Sequence, residues 1–150
     1  MSLSDWHKNG WLKSHTPTSR EVADLLALAD RDIKNANVKG LDTDWRFNIA
    51  YNAALQAGSA ALTASGYAVP KGDSHHFRVI GSLAFTVGLD QGLIDKLDRC
   101  RKKRSIAIYD FAGAISAKEA EEMQAVAKEI IKQVRAWLVN TYPSLAKASK

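Results

Sequence analysis

The stretch Asp44-Trp-Arg-Phe47-Asn-Ile-Ala50-Tyr51-Asn-Ala53-Ala54-Leu-Gln-Ala57-Gly58-Ser-Ala60-Ala61 decides the fold class. Phe47, Tyr51, Ala54, Gly58 and Ala61 recur at alternating steps of four and three, the repeat of one helical face. A second stripe, Ala50, Ala53, Ala57 and Ala60, lies beside it. Side chains this small let another helix approach closely, so the spacing predicts a helix packed against neighbours. Asp42 and Asp44 at its start suit the positive end of a helix dipole. The run Gly66-Tyr-Ala-Val-Pro70-Lys-Gly72 ends it.

The same spacing extends outward from Thr18 to Tyr142, and no convincing alternating run marks a strand. Upstream, a capping box, Thr18-Ser-Arg-Glu21, opens a helix with Val22, Leu25, Leu26, Ala29 and Ile33 on one face. Gly40 closes the segment after Asn37. Downstream, Asp73 or Ser74 caps a shorter helix whose inward face reads Phe77, Ile80, Ala84 and Val87, and Gly88 to Gly92 forms a turn. A fourth helix runs from about Leu93 to Phe111 or Ala112 and stops at Gly113. A second capping box, Ser116-Ala-Lys-Glu119, opens the fifth. Its stripe is Met123, Val126, Ala127, Ile130, Val134, Trp137 and Leu138, with Pro143 just past its end.

Short links between amphipathic helices favour antiparallel neighbours. The expectation is therefore an all-α fold, an up-and-down bundle of four or five helices in one domain over 1–150. Residues 1–16 form a lead segment. Its Trp6 and Trp11 either close one end of the bundle on a short helix or meet a partner. Residues 144–150 form a frayed tail.

Composition sets the outer bounds. A length of 150 residues suits one core, and 46% hydrophobic with 25% charged residues excludes wholesale disorder. The single Cys100 cannot make an internal disulfide, and no Cys/His set has zinc-site spacing. Neither a signal-peptide core nor an apolar run of roughly 18–20 residues is visible, so a cytoplasmic location away from the membrane is expected. The net charge of +5 is modest. Its distribution is more informative.

On the fourth helix, positions 93, 97, 100, 104, 107 and 111 trace one face: Leu93, Leu97, Cys100, Arg104, Ala107 and Phe111. A guanidinium on an apolar seam must snorkel, pair with a carboxylate, or line a cleft, where it acts as an always-charged phosphate clamp. Five of the six residues from Arg99 to Arg104 are basic: Arg99, Arg101, Lys102, Lys103 and Arg104. A helix spreads them around its axis, and the plain reading of such a run is a solvated face. Beside the misplaced arginine, the run also suits the backbone phosphates of RNA. Without an RNP-type aromatic platform or a Gly-rich clamp, base-specific readout is not expected.

Other candidates carry less. His75 and His76 diverge by about 100° on a helix and have no third ligand in register, so no metal is expected. His7 and His15 lie in the lead segment. Glu119, Glu121 and Glu122 open a helix, where carboxylates suit the dipole. Cys100 reads as an inert apolar residue. No P-loop, dinucleotide fingerprint, G-x-S-x-G or H-E-x-x-H motif occurs, and no cofactor is expected.

The stretch Lys103-Arg104-Ser105-Ile106-Ala107-Ile108-Tyr109-Asp110 resembles the signature of the HEPN (higher eukaryotes and prokaryotes nucleotide-binding) superfamily. In that signature an arginine and a polar residue precede a histidine or tyrosine on the same helix. The Trp-containing lead with its Thr18–Glu21 helix, the run from Tyr51 to Tyr67, and the His75-His76 pair are similar to other parts of the family. The resemblance implies a four- or five-helix bundle that often dimerises around a basic cleft. Many members are metal-independent ribonucleases of toxin–antitoxin or defence systems, often beside a nucleotidyltransferase-like antitoxin partner. Others bind RNA or nucleotides without catalysis.

Carried over residue by residue, Arg104 would be the catalytic, phosphate-binding arginine, Ser105 the adjacent polar residue and Tyr109 the companion hydroxyl. Arg99, Arg101, Lys102 and Lys103 would add phosphate contacts. Ile108 stands where ribonuclease members carry a histidine. Metal-free cleavage needs one group to take the 2′-hydroxyl proton and another to protonate the leaving oxygen. Histidine suits both, whereas tyrosine, with a reference pKa of about 10, is a poor base. His75 or His76 substitutes only if the third helix packs beside the fourth. The resulting expectation is an RNA- or nucleotide-binding protein with at most weak metal-independent ribonuclease activity. The alternative is a non-catalytic, dimeric protein-interaction module. There the small-residue seam and Trp6/Trp11 bury against another chain, and Arg104 makes an inter-subunit ion pair.

Overall fold

The computed structural model describes residues 1–72, 74–109 and 112–146, with the side chains of 107–109 outside that description. Among the described residues the elements are α1 (Leu3–Lys8), β1 (Lys13–Ser14), α2 (Ser19–Asn35), α3 (Thr43–Ala64), β2 (Tyr67–Ala68), α4 (His75–Ser82), α5 (Gln91–Tyr109), α6 (Ala117–Thr141) and α7 (Pro143–Ala146). The fold is all-α apart from the β1–β2 ribbon. Both capping boxes sit at helix starts. The Thr18 hydroxyl accepts from the Glu21 backbone N–H, and Ser116 and Glu119 exchange the full reciprocal pair. Each such cap stabilises its helix by about 1 kcal/mol.

The alanine-rich α3 is the central helix, packed chiefly against α2 and α6 with α4 and α5 along another side. Ala50, Ala53, Ala54 and Ala57 are fully buried. Larger side chains from its neighbours, including Leu26, Leu83, Leu97, Met123 and Ile130, complete the same core. At Gly58 an added Cβ would stand 3.0 Å from Val79 Cγ1, so a bare glycine lets α4 lie against α3. The small-residue seam is therefore covered within the chain and is not free for another.

Cross-helix contacts fix the directions. Gln124 Nε2 donates to the Ala36 carbonyl at 2.9 Å, Ser19 Oγ donates to the Ser144 carbonyl at 3.2 Å, and Arg135 pairs with Asp30. These make α2 and α6 antiparallel. Thr43 Oγ1 donates to the Ile115 carbonyl and Gly113 N donates to Asp44 Oδ2, which brings the starts of α3 and α6 together. Tyr51 meets His76 and Gly58 meets Val79, so α4 runs the same way as α3. The up-and-down expectation thus fails between α3 and α4. The link between them is no tight turn: β2 pairs antiparallel with β1, Lys13 opposite Ala68 and Ser14 opposite Tyr67, and the chain returns along α3 before α4 begins.

Further differences are local. Trp6 of α1 is buried with Leu12 and Leu62, and its indole lies 3.0 Å from where a Cβ on Gly81 would be. The lead segment therefore closes one end of the bundle, and Trp6 is not available to a partner. Phe77, expected inside, is 46% exposed. Its spacing to Val87 assumed a longer helix, whereas α4 ends at Ser82 and turns Val79, Ile80 and Leu83 inward. Pro143 starts α7, and Leu145 and Ala146 pack on the core. Asp73 and residues 147–150 lie outside the described residues. No described helix is long and apolar enough to cross a membrane.

Candidate functional site

The start of α5 is anchored by Ile94 and Leu97, with Leu93 and Cys100 half-buried against the core. Burial pushes the Cys100 thiol up to about 11, which keeps it protonated and apolar in character. Seven residues beyond Leu97 and four beyond Cys100 the seam reaches Arg104. Its guanidinium carbon lies 5.3 Å from the centre of the Tyr51 ring. Its Nε is buried without a hydrogen-bond partner, and no carboxylate pairs with it among the described residues.

Of the three fates open to that arginine, it adopts the cleft. Arg104 lines two cavities. The first, of about 460 Å³, lies on the α4 side with Lys71, Gly72, His75, His76, Arg101 and Ser105. The second, of about 380 Å³, follows the start of α3.

Around the first cavity, His76 Nδ1 is 3.1 Å from the Tyr51 hydroxyl. Burial, and then the positive charge of Arg104, holds the His76 imidazole below the usual histidine range. Burial pushes the Tyr51 hydroxyl well above the usual tyrosine range despite the nearby guanidinium. A protonated phenol thus orients a neutral imidazole. The His75 and His76 ring centres are 5.9 Å apart. Ser74, the N-cap of α4, makes no side-chain cap, and the positive end of the helix opens here. Lys71, Arg101 and Arg104 give the cavity three cationic side chains. Arg101 is partly balanced by Asp98 at 2.8 Å.

The basic run is divided, as helical geometry requires. Arg101, Arg104 and Ser105 face α4. Arg99 and Lys103 line a separate cavity against α6, where Lys103 pairs with Glu119 at 3.3 Å. Lys102 projects into solvent, 3.9 Å from Asp98. Ser105 Oγ donates to its own helix at the Arg101 carbonyl. The Tyr109 side chain lies outside the described residues, as do those of Ile108 and Phe111. His15 is engaged by Glu21 of α2 at 2.7 Å and His7 by Ser14 of β1 at 3.2 Å. No group of three or more His, Cys, Asp or Glu side chains among the described residues is placed to hold a metal ion.

Sequence reasoning passed over Tyr51 and Lys71, and over Trp45 and Asn48, which line the second cavity. Tyr51 was legible only as a core residue. Asn48 and Asn52, four apart and polar on an alanine-rich helix, were the available signal.

Compared with family models, curated proteins and solved structures, the chain matches none.

Proposed function

We propose that the protein is a HEPN-type RNA- or nucleotide-binding protein that holds a phosphate at the Arg104 cavity and cleaves RNA slowly without a metal. The observation that carries this reading is the buried, partnerless Arg104 Nε beside His76. A buried donor left unsatisfied costs about 1–3 kcal/mol. A phosphate in the cavity that Arg104 and Arg101 line would gain charge-assisted hydrogen bonds from their guanidinium groups.

The same groups can carry the chemistry. In the tautomer whose Nδ1–H donates to the Tyr51 hydroxyl, the neutral His76 has a lone pair on Nε2. It accepts the 2′-hydroxyl proton as the 2′-oxygen attacks phosphorus. As the bond to the 5′-oxygen breaks, His75 is the group placed to supply the proton that the leaving group takes. Arg104 stabilises the negative charge that develops on the phosphorane. This arrangement assigns the proton transfers to α4 in place of the family histidine position, occupied by Ile108. A second copy of this chain and a nucleotidyltransferase-like antitoxin are the partners the resemblance proposes. The test is cleavage of a mixed RNA pool in EDTA by wild type, Arg104→Ala and His76→Ala. Cleavage by wild type that both variants lose supports the reading, and cleavage equal in all three removes it.

A further inference from the structure

The second cavity at Arg104 has a different character from the first. Asn48 is 8% exposed, and its Oδ1 is buried with no hydrogen-bond partner. Asn48 is among the residues that line the cavity, and its Oδ1 is an unused acceptor. Three residues earlier on α3, the Trp45 indole is 60% exposed at the same cavity. A large, flat, exposed aromatic beside a buried, unused acceptor needs an explanation that packing does not supply. Asp42 adds an acidic, acceptor-rich rim, while Asp44 is occupied by the backbone N–H groups of Gly113 and Ile115. A phosphate is repelled here and attracted across Arg104, where Lys71 and Arg101 lie.

We infer that this cavity is a nucleobase subsite: a base bearing an exocyclic amino group stacks on Trp45 and donates to Asn48 Oδ1 while its phosphate lies on the far side of Arg104. The inference rests on the phosphate reading above and adds the base. Stacking on an exposed indole tolerates any base. The acceptors make the selection. An amino group of adenine, cytosine or guanine can donate to both Asn48 and the Asp42 side, whereas the carbonyl oxygens flanking the single N–H of uracil face the acidic rim. Base discrimination here is for an amino group and not for a sequence.

Calorimetric titration of the full chain with inorganic phosphate, ribose 5-phosphate, UMP, CMP and AMP separates the two readings. CMP and AMP are expected to bind roughly tenfold more tightly than ribose 5-phosphate, with UMP weaker than CMP. Trp45→Ala, at an exposed position with little folding risk, should reduce AMP to the ribose 5-phosphate level and leave ribose 5-phosphate unchanged. Asn48→Ala, checked for folding by circular dichroism, should erase the difference between CMP and UMP. If AMP equals ribose 5-phosphate while Arg104→Ala abolishes the binding of both, the base subsite fails and the phosphate reading stands. If AMP binds tightly but Trp45→Ala is silent, the base lies elsewhere and the inference is overturned. If none of the five ligands binds, both readings fall.

Discussion

The guanidinium of Arg104 on α5 lies 5.3 Å from the ring centre of Tyr51 on α3. The hydroxyl of that same tyrosine reaches His76 on α4 at 3.1 Å. One buried phenol therefore links three helices and sets the distance between a fixed positive charge and a neutral imidazole. Removing only the hydroxyl is the mildest perturbation of this link. Tyr51→Phe is expected to lose about 0.5–1.5 kcal/mol of stability, the ordinary value of a hydrogen bond. RNA affinity should stay within about twofold while cleavage falls by roughly tenfold, because the imidazole loses its orientation and not its partner charge. Urea denaturation and cleavage rates on the same preparations check both parts.

The depressed His76 pKa gives stability a pH dependence of known sign. Burial and Arg104 resist protonation in the native state, so as pH falls through about 6.5 the unfolded chain takes up the proton first. His76 therefore opposes folding increasingly toward acid. His76→Gln removes that term, and the stability of wild type relative to the variant should decline between pH 7.5 and pH 5. A difference that does not change with pH would show that His76 titrates normally.

Divided charge along α5 predicts unequal effects of neutralising it. Arg104→Ala should weaken RNA binding by at least about tenfold and reduce its salt dependence. Lys103→Ala and Arg99→Ala, which face α6 and Glu119, should change affinity by less than about twofold. Filter binding at several salt concentrations distinguishes this from a uniformly basic surface, for which all three changes would be alike.

Packing of α4 on α3 depends on a missing side chain. With Val79 Cγ1 at 3.0 Å from a Cβ at position 58, Gly58→Val should destabilise by about 1–3 kcal/mol through overpacking. Thermal unfolding measures the loss. An unchanged midpoint would mean that α4 can retreat without cost.

Much of this was legible in the sequence because helices announce themselves through spacing and caps. The alanine stripe of α3, the Thr18 and Ser116 capping boxes and the arginine on an apolar seam all follow from local rules. The direction of α4 did not, because β1–β2 pairing joins residues 13–14 to 67–68, a long-range contact that two residues per strand cannot signal by periodicity. Phe77 misled for a related reason: the stripe it belonged to, running to Val87, required a helix about one and a half turns longer than α4. The site was legible at Arg104 and illegible around it. Tyr51 meets the arginine, and Asn48 and Lys71 share its cavities, from parts of the chain whose crossing no single-helix pattern records.

The most direct test of the central claim is fluorescence anisotropy of a short labelled single-stranded RNA, in EDTA, with wild type and Arg104→Ala at low and high salt. Circular dichroism on both proteins confirms that they are folded. The expected result is salt-sensitive binding by wild type and, in the variant, an affinity at least about tenfold lower with a shallower salt slope. Equal affinity and equal slope in a folded Arg104→Ala protein would contradict a phosphate site at Arg104.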